Sequence, residues 1–309
     1  MRNRNSGQVS PATAAALLGL IILFWGVNWP VMKIGLDYIG PLTFAAARLA
    51  LGAAVLFALL AATGRLTWLT RRDWPIVLTV GTLQMAAFLG LITVGLQYAE
   101  AGRSAILAYT TPLWVVPGAA LFLDERLHGR RLAGFGLGMA GVAVLFNPFG
   151  FDWGEQRVVI GNGLLMLAAV AWAAQIVQIR GHKWDSPPLV LAPWQLTVGT
   201  LLLAPLAVGL EAGDPIRWTW TLGGVLAFNG IVATAFCYVA VITVNRALPA
   251  VTTSLALLAV PVSGLLFSAM LLGEPMGPTK AVGLALIVAG LALIVAADRA
   301  PQRAAVPAD

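Results

Sequence analysis

The sequence predicts an all-α integral membrane protein of ten transmembrane helices, arranged as two inverted five-helix repeats. Three observations carry that prediction. Of 309 residues, 59% are hydrophobic and 10% charged, and the mean hydropathy is +0.86, which leaves too few polar groups to coat a soluble globule. The apolar stretches are each roughly 15 to 25 residues long, as a helix needs to cross a hydrocarbon core of about 30 Å, and they lack the alternation of barrel strands. The chain also aligns with itself. A shift of 149 positions sets Pro112 on Pro261, Glu125 on Glu274, Gly134 on Gly283 and Gly141 on Gly290, with nine identities over thirty-seven gapless positions from Thr110 to Phe146.

In order, the predicted spans run Ala12 to Val31, Leu42 to Ala62, Trp74 to Val94, Arg103 to Leu123 and Leu132 to Phe146. The second set runs Ile160 to Ile179, Leu189 to Leu210, Trp220 to Val244, Val251 to Leu272 and Ala281 to Ala297. The first repeat is therefore read as residues 12–147 and the second as 160–297, joined by a polar connector at 148–159 and flanked by tails at 1–11 and 298–309. At a shift of 147, Trp25 meets Trp172, Asn28 meets Gln175, Lys33 meets Arg180 and Arg48 meets Gln195. Five spans per half is an odd number, so the second copy lies upside down relative to the first.

The formal net charge is +6 and the isoelectric point about 10.1. The cations flank apolar spans rather than clustering with stacking aromatics, so they speak for membrane orientation and against nucleic acid. With a cytoplasmic N-terminus, thirteen fall on the cytoplasmic side: Arg2, Arg4, Arg65, Arg71, Arg72, Arg126, Arg130, Arg131, Arg180, Lys183, Arg246, Arg299 and Arg303. Five fall opposite: Lys33, Arg103, Arg157, Arg217 and Lys280. Both termini are then cytoplasmic, and the bias requires an even number of spans. The single cysteine, Cys237, excludes an internal disulfide, and His128 and His182 are too far apart for a metal pair. No metal or cofactor is expected. The first apolar run reads as a retained helix rather than a cleaved signal.

Candidate chemistry lies inside the spans. Trp25, Asn28, Trp29 and Met32 recur at three-to-four spacing and share one helical face, with Pro30 bending the helix beside them. The sixth span repeats the pattern with Trp172 and Gln175. Amides beside aromatics at membrane depth are costly facing lipid and useful facing a cavity; the competing reading is an interfacial aromatic belt with amides bonding across helices. Gln84 and Phe88 add to the set from the third span, Tyr109 from the fourth, and Phe236 and Tyr238 from the eighth. Pro112 and Pro261 each free an upstream carbonyl, available either to a substrate ammonium or to neighbouring hydroxyls that make the kink purely structural. Arg48 is the one basic residue well inside a span. It snorkels, holds a substrate carboxylate, or makes a structural hydrogen bond to another helix; the last is favoured.

These residues carry a resemblance. The opening LLGLIILFWGVNWPVMKIGL, the arginine of FAAARLALGAAVL, and the two helix pairs passing through LDERL and LLGEP resemble the ten-helix EamA-type transporters of the drug/metabolite transporter superfamily. Within it the chain is most similar to bacterial aromatic amino-acid exporters. The resemblance implies a central cavity formed by both halves and opened alternately to either side of a bacterial inner membrane. It also implies that the fifth and tenth helices, with Gly134, Gly141, Gly283 and Gly290 at spacings of seven, serve as packing scaffold or as a dimer seam, the former preferred, in a monomer or homodimer. Glu125 and Glu274 sit at span ends beside basic residues, where charge is hydrated or paired, and no Asp or Glu lies deep in a span. The expected activity is export of aromatic and other apolar or neutral amino acids by facilitated diffusion, with proton-coupled export of drugs or other small metabolites as the alternative. Neither a nucleophile nor paired carboxylates lie at depth, which argues against an enzyme.

Overall fold

The computed structural model describes residues 9–123, 129–146, 155–180, 182–248 and 250–303. Its helices in chain order are α1 (Pro11–Gly35), α2 (Pro41–Ala62), α3 (Trp74–Tyr98), α4 (Ala101–Phe122), α5 (Gly129–Phe146), α6 (Gln156–Arg180), α7 (Pro188–Glu211) and α8 (Trp220–Ala247). Two more follow: α9, in two pieces (Ala250–Leu257 and Ala259–Leu272), and α10 (Pro278–Arg303). The described residues contain no strand. Nine of the helical segments are long and apolar enough to cross a membrane; the tenth, α5, has 18 residues and opens on the charged GRRL turn. The molecule is therefore an all-helical, multi-pass architecture. Glu125 and the tails and connector at 1–8, 147–154 and 304–309 lie outside the described residues.

Local chemistry sets the helix ends. Proline stands in the first turn of α1, α2, α3 and α7, where its missing N–H would have had no partner in any case. Ser10 caps α1 through the Thr13 amide at 3.1 Å, and Thr219 caps α8 through the Leu222 amide at 3.1 Å. The last turn of α9 closes on Gly273 at φ 68°, a left-handed conformation that glycine adopts without strain. The α6 helix starts at Gln156, so the end of the expected connector is its first turn.

Helix interiors depart from the uniform spans expected. In α3 the chain widens to a π-helix over Val80–Phe88, and in α8 over Phe228–Phe236. The α4 helix breaks at Tyr109–Thr110, between Ala101–Ala108 and Thr111–Phe122, and α9 breaks at Leu258. Pro112 cannot donate to the Ala108 carbonyl, but the Thr111 hydroxyl does so at 2.8 Å, and Thr110 donates to the Leu107 carbonyl at 2.6 Å. Of the two readings for Pro112, the structural kink is the one these bonds describe.

Packing pairs helices across the two halves. The α1 helix lies on α8 and α9 while α6 lies on α3 and α4; α2 meets α7 and α8 while α7 meets α2 and α3; α4 meets α9, and α5 runs along α10. The α5–α10 seam is a backbone contact. A Cβ on Gly134 would sit 2.7 Å from the Gly290 carbonyl oxygen, and one on Gly141 would sit 2.8 Å from that of Gly283. The four glycines thus face each other within one chain, and this face is taken up by intramolecular packing.

Carboxylates then pin helix N-termini across the halves. Glu211 accepts from the amides of Leu42 (2.7 Å) and Thr43 (2.9 Å) and from the Thr43 hydroxyl (2.7 Å) at the start of α2. Asp73 accepts from the amides of Asp185 (2.9 Å) and Ser186 (3.0 Å) and the Ser186 hydroxyl (2.6 Å), ahead of α7. Glu274 accepts from the amides of Ala101 (2.6 Å) and Gly102 (2.9 Å) at the start of α4. The sequence setting puts Glu274 beside Lys280; in the structure Lys280 pairs with Glu100 at 2.5 Å, and Glu274 is a cap. Exposed amides at a helix start and the positive end of its dipole both favour an anion there.

Candidate functional site

A cavity of about 140 Å3 lies between the halves. Near the middle of the bundle, α1 presents Trp25, Asn28, Trp29 and Met32 to it on one face, as their three-to-four spacing dictates. The π-helical stretch of α3 contributes Gln84, Met85 and Phe88, followed by Leu89 and Ile92 on α4-proximal turns of the same helix. Tyr109 enters from the break in α4, Trp172 from α6, Leu196 from α7, and Ala233, Thr234 and Tyr238 from α8. Arg48 reaches in from α2.

Rings form one wall. Phe88 and Trp172 have centroids 4.7 Å apart at 51°, and Tyr109 meets Trp172 edge-on at 6.3 Å and 83°, within the favourable range for aromatic pairs. Polar contacts fix the frame around them. The Trp25 indole N–H donates to the Ala233 carbonyl at 3.0 Å, inside the π-helical part of α8, and the Tyr238 hydroxyl donates to Gln195 Oε1 at 2.8 Å. The Arg48 guanidinium donates through Nη1 to Met32 Sδ and through Nη2 to Thr234 Oγ1, both at 3.1 Å. Arg48 is only 5% exposed, so it does not snorkel to an interface. Its Nε and the Oδ1 of the equally buried Asn28 have no partner.

Eight of the ten residues expected to line a cavity do so: Trp25, Asn28, Trp29, Gln84, Phe88, Tyr109, Trp172 and Tyr238. Gln175 is buried in the packing of α6 outside the lining. Phe236 turns outward, its ring edge-on to Phe24 at 5.8 Å. It is two residues from both Thr234 and Tyr238, and positions two apart on a helix face away from each other. The sequence does not single out Met85, Leu89, Ile92, Leu196, Ala233 or Thr234; Thr234 lies one turn before Tyr238, which is the signal that points to it. Pro30 is buried on α1 beside the stripe, and Pro112 and Pro261 stand in the first turn of the second segments of α4 and α9.

Comparison with known proteins agrees with this architecture. The chain is 30% identical over 302 residues to the uncharacterized transporter YvbV of Bacillus subtilis, covering 97% of each. It is 27% identical over 285 residues to a probable amino-acid metabolite efflux pump of Escherichia coli, covering 88% of this chain and 91% of that one. A solved crystal structure with 23% identity superposes with a TM-score of 0.63 over 96% of this chain and 100% of that chain, a likeness of fold. The profile of the EamA-like transporter family matches twice, at residues 13–147 and 159–296. With both halves matched and a cavity between them, the chain belongs to the EamA-like transporter family of the drug/metabolite transporter superfamily and is a multi-pass membrane transporter of small molecules.

Proposed function

We propose that this protein exports amino acids with aromatic or other apolar or neutral side chains, by alternating access and facilitated diffusion, across a bacterial inner membrane with both termini cytoplasmic. The observation that carries the proposal is the cavity itself, walled by Phe88, Tyr109 and Trp172 and edged by the polar groups of Asn28, Gln84 and Arg48. An apolar cavity of about 150 Å3 holds one benzene ring, so a space of about 140 Å3 is of the order that the ring of a single-ring solute needs. The Escherichia coli relative, named for amino-acid metabolites, supports the same class.

Alternating access follows from reading the halves as inverted copies. In support, the π-helical stretches stand 148 residues apart, as Val80 to Phe228 and Phe88 to Phe236, and the helix pairings are reciprocal under exchange of halves. Facilitated movement is supported by the lining, which among the described residues has no Asp or Glu; proton-coupled carriers generally keep a carboxylate at depth. Glu100, the nearest candidate on the predicted outer side, is engaged with Lys280. The chemistry is solute movement rather than catalysis.

Reconstituted vesicles loaded with labelled phenylalanine, threonine, methionine and lysine test this. Phenylalanine and methionine are expected to leave saturably without an imposed pH gradient, faster when unlabelled substrate is present outside, with lysine slowest. Efflux no faster than from protein-free vesicles overturns the proposal, and efflux that starts only on imposing a pH gradient overturns the facilitated mechanism.

A further inference from the structure

We infer that Arg48 and Asn28 together receive the charged backbone of the transported amino acid, Arg48 taking the carboxylate and Asn28 the ammonium. This rests on the amino-acid reading above. Arg48 is buried, yet among the described residues no carboxylate pairs with it. Its two hydrogen bonds go to a thioether and a hydroxyl, both neutral, and sulfur is a weak acceptor. A buried guanidinium normally sits on a carboxylate or phosphate, because neutral acceptors return little of the hydration it loses. Both acceptors belong to residues that also line the cavity, as Arg48 does, so an anion that reaches the guanidinium displaces only weak partners.

Asn28 supplies the complement. Asn28 lines the cavity and its buried Oδ1 accepts no hydrogen bond, which for an amide at membrane depth is costly unless a donor arrives. Asn28 lies one helical turn before Met32, the residue whose sulfur Arg48 touches, so the free acceptor and the cation border the same stretch of α1. An α-amino acid presents an ammonium and a carboxylate on one carbon, and the rings of Phe88 and Trp172 in the same lining are available to its side chain. Each charge of the zwitterion thereby meets a group that the protein leaves without a strong partner.

The test uses the full chain in detergent and displacement of labelled phenylalanine by three probes: phenylalanine, phenethylamine, which lacks the carboxylate, and 3-phenylpropionate, which lacks the ammonium. Charge-assisted hydrogen bonds imply that phenethylamine displaces roughly 10- to 100-fold more weakly than phenylalanine. In Arg48→Gln that gap closes, chiefly by loss of phenylalanine affinity, and Arg48→Lys keeps part of it. In Asn28→Leu, phenylalanine falls toward 3-phenylpropionate while phenylpropionate is little changed. Equal displacement by phenethylamine and phenylalanine in the unmodified protein overturns the assignment and leaves amino-acid transport standing. Absence of any phenylalanine binding overturns both. If Arg48→Gln does not fold, Arg48→Lys decides: a gap between phenylalanine and phenethylamine as wide as in the unmodified protein overturns the role of Arg48.

Discussion

Asp73 shows how one side chain holds a loop. Burial alone raises its pKa, but hydrogen bonds from the Ser186 hydroxyl and amide and from the Thr70 and Asp185 amides reverse this and hold the carboxyl well below the usual carboxylate range. A carboxylate with a depressed native pKa stabilises the fold above its unfolded value, about 3.9, and loses that contribution as pH falls toward the native value. Asp73→Asn is therefore expected to lower stability at pH 7 by about 1–3 kcal/mol, and the gap between variant and parent should narrow below about pH 4; thermal melts across that range measure it. In the cavity, Trp172→Ala removes the ring that both Phe88 and Tyr109 touch. The KM for phenylalanine is expected to rise roughly 2- to 12-fold, from about 0.5–1.5 kcal/mol of aromatic contact, with threonine affected less in the same vesicles. At this scale the sequence was readable where a helical face was regular, as for Trp25, Asn28 and Trp29. It misled at Phe236, which lies two residues from both Thr234 and Tyr238 and so falls on the opposite face of α8.

Among the elements, the α5–α10 seam yields the cleanest test. Gly290→Ala puts a Cβ 2.6 Å from the Gly134 carbonyl oxygen and from the Gly138 amide nitrogen, backbone atoms that cannot rotate away. A loss of about 1–3 kcal/mol is expected, read as a lower melting temperature with the KM of the surviving protein unchanged. Gly136→Ala, with nothing within 4 Å of the new Cβ, should be neutral or slightly stabilising, since alanine favours helix by about 1 kcal/mol. Glycines seven apart announced this seam, and Pro112 announced the break in α4. The π-helical stretches gave no such notice. Val80–Phe88 reads VGTLQMAAF, with neither proline nor a change of period; it packs against α6 and α7, contacts that no local pattern encodes.

For the whole molecule, the minority cations bear on orientation. Lys33 donates to the carbonyls of Leu96, Gln97 and Ala99 at the end of α3, Arg103 to that of Leu145, and Arg217 to that of Asp37 while lying over the Tyr38 ring. With Lys280 held by Glu100, four of the five cations on the predicted outer side have structural employment, which strengthens the bias of the rest toward the cytoplasm. In a Cys237 replacement, a cysteine at exposed Asp214 should react with an impermeant maleimide from outside intact cells, and one at exposed Arg65 should not; the reverse result inverts the topology. Span count and cation bias were legible from composition, whereas the reciprocal contacts between halves depend on distances only the folded chain has. Glu211 grips the start of α2 while Asp73, in the loop that leaves α2, grips the approach to α7. The two helices are thus stapled at both extremities, and sliding one along the other would strand two anions and all their donors together. On the alternating-access proposal, that pair is expected to act as a fixed axle, with the rocking that admits and releases cargo falling to the widened α3 and α8 and the broken α4 and α9.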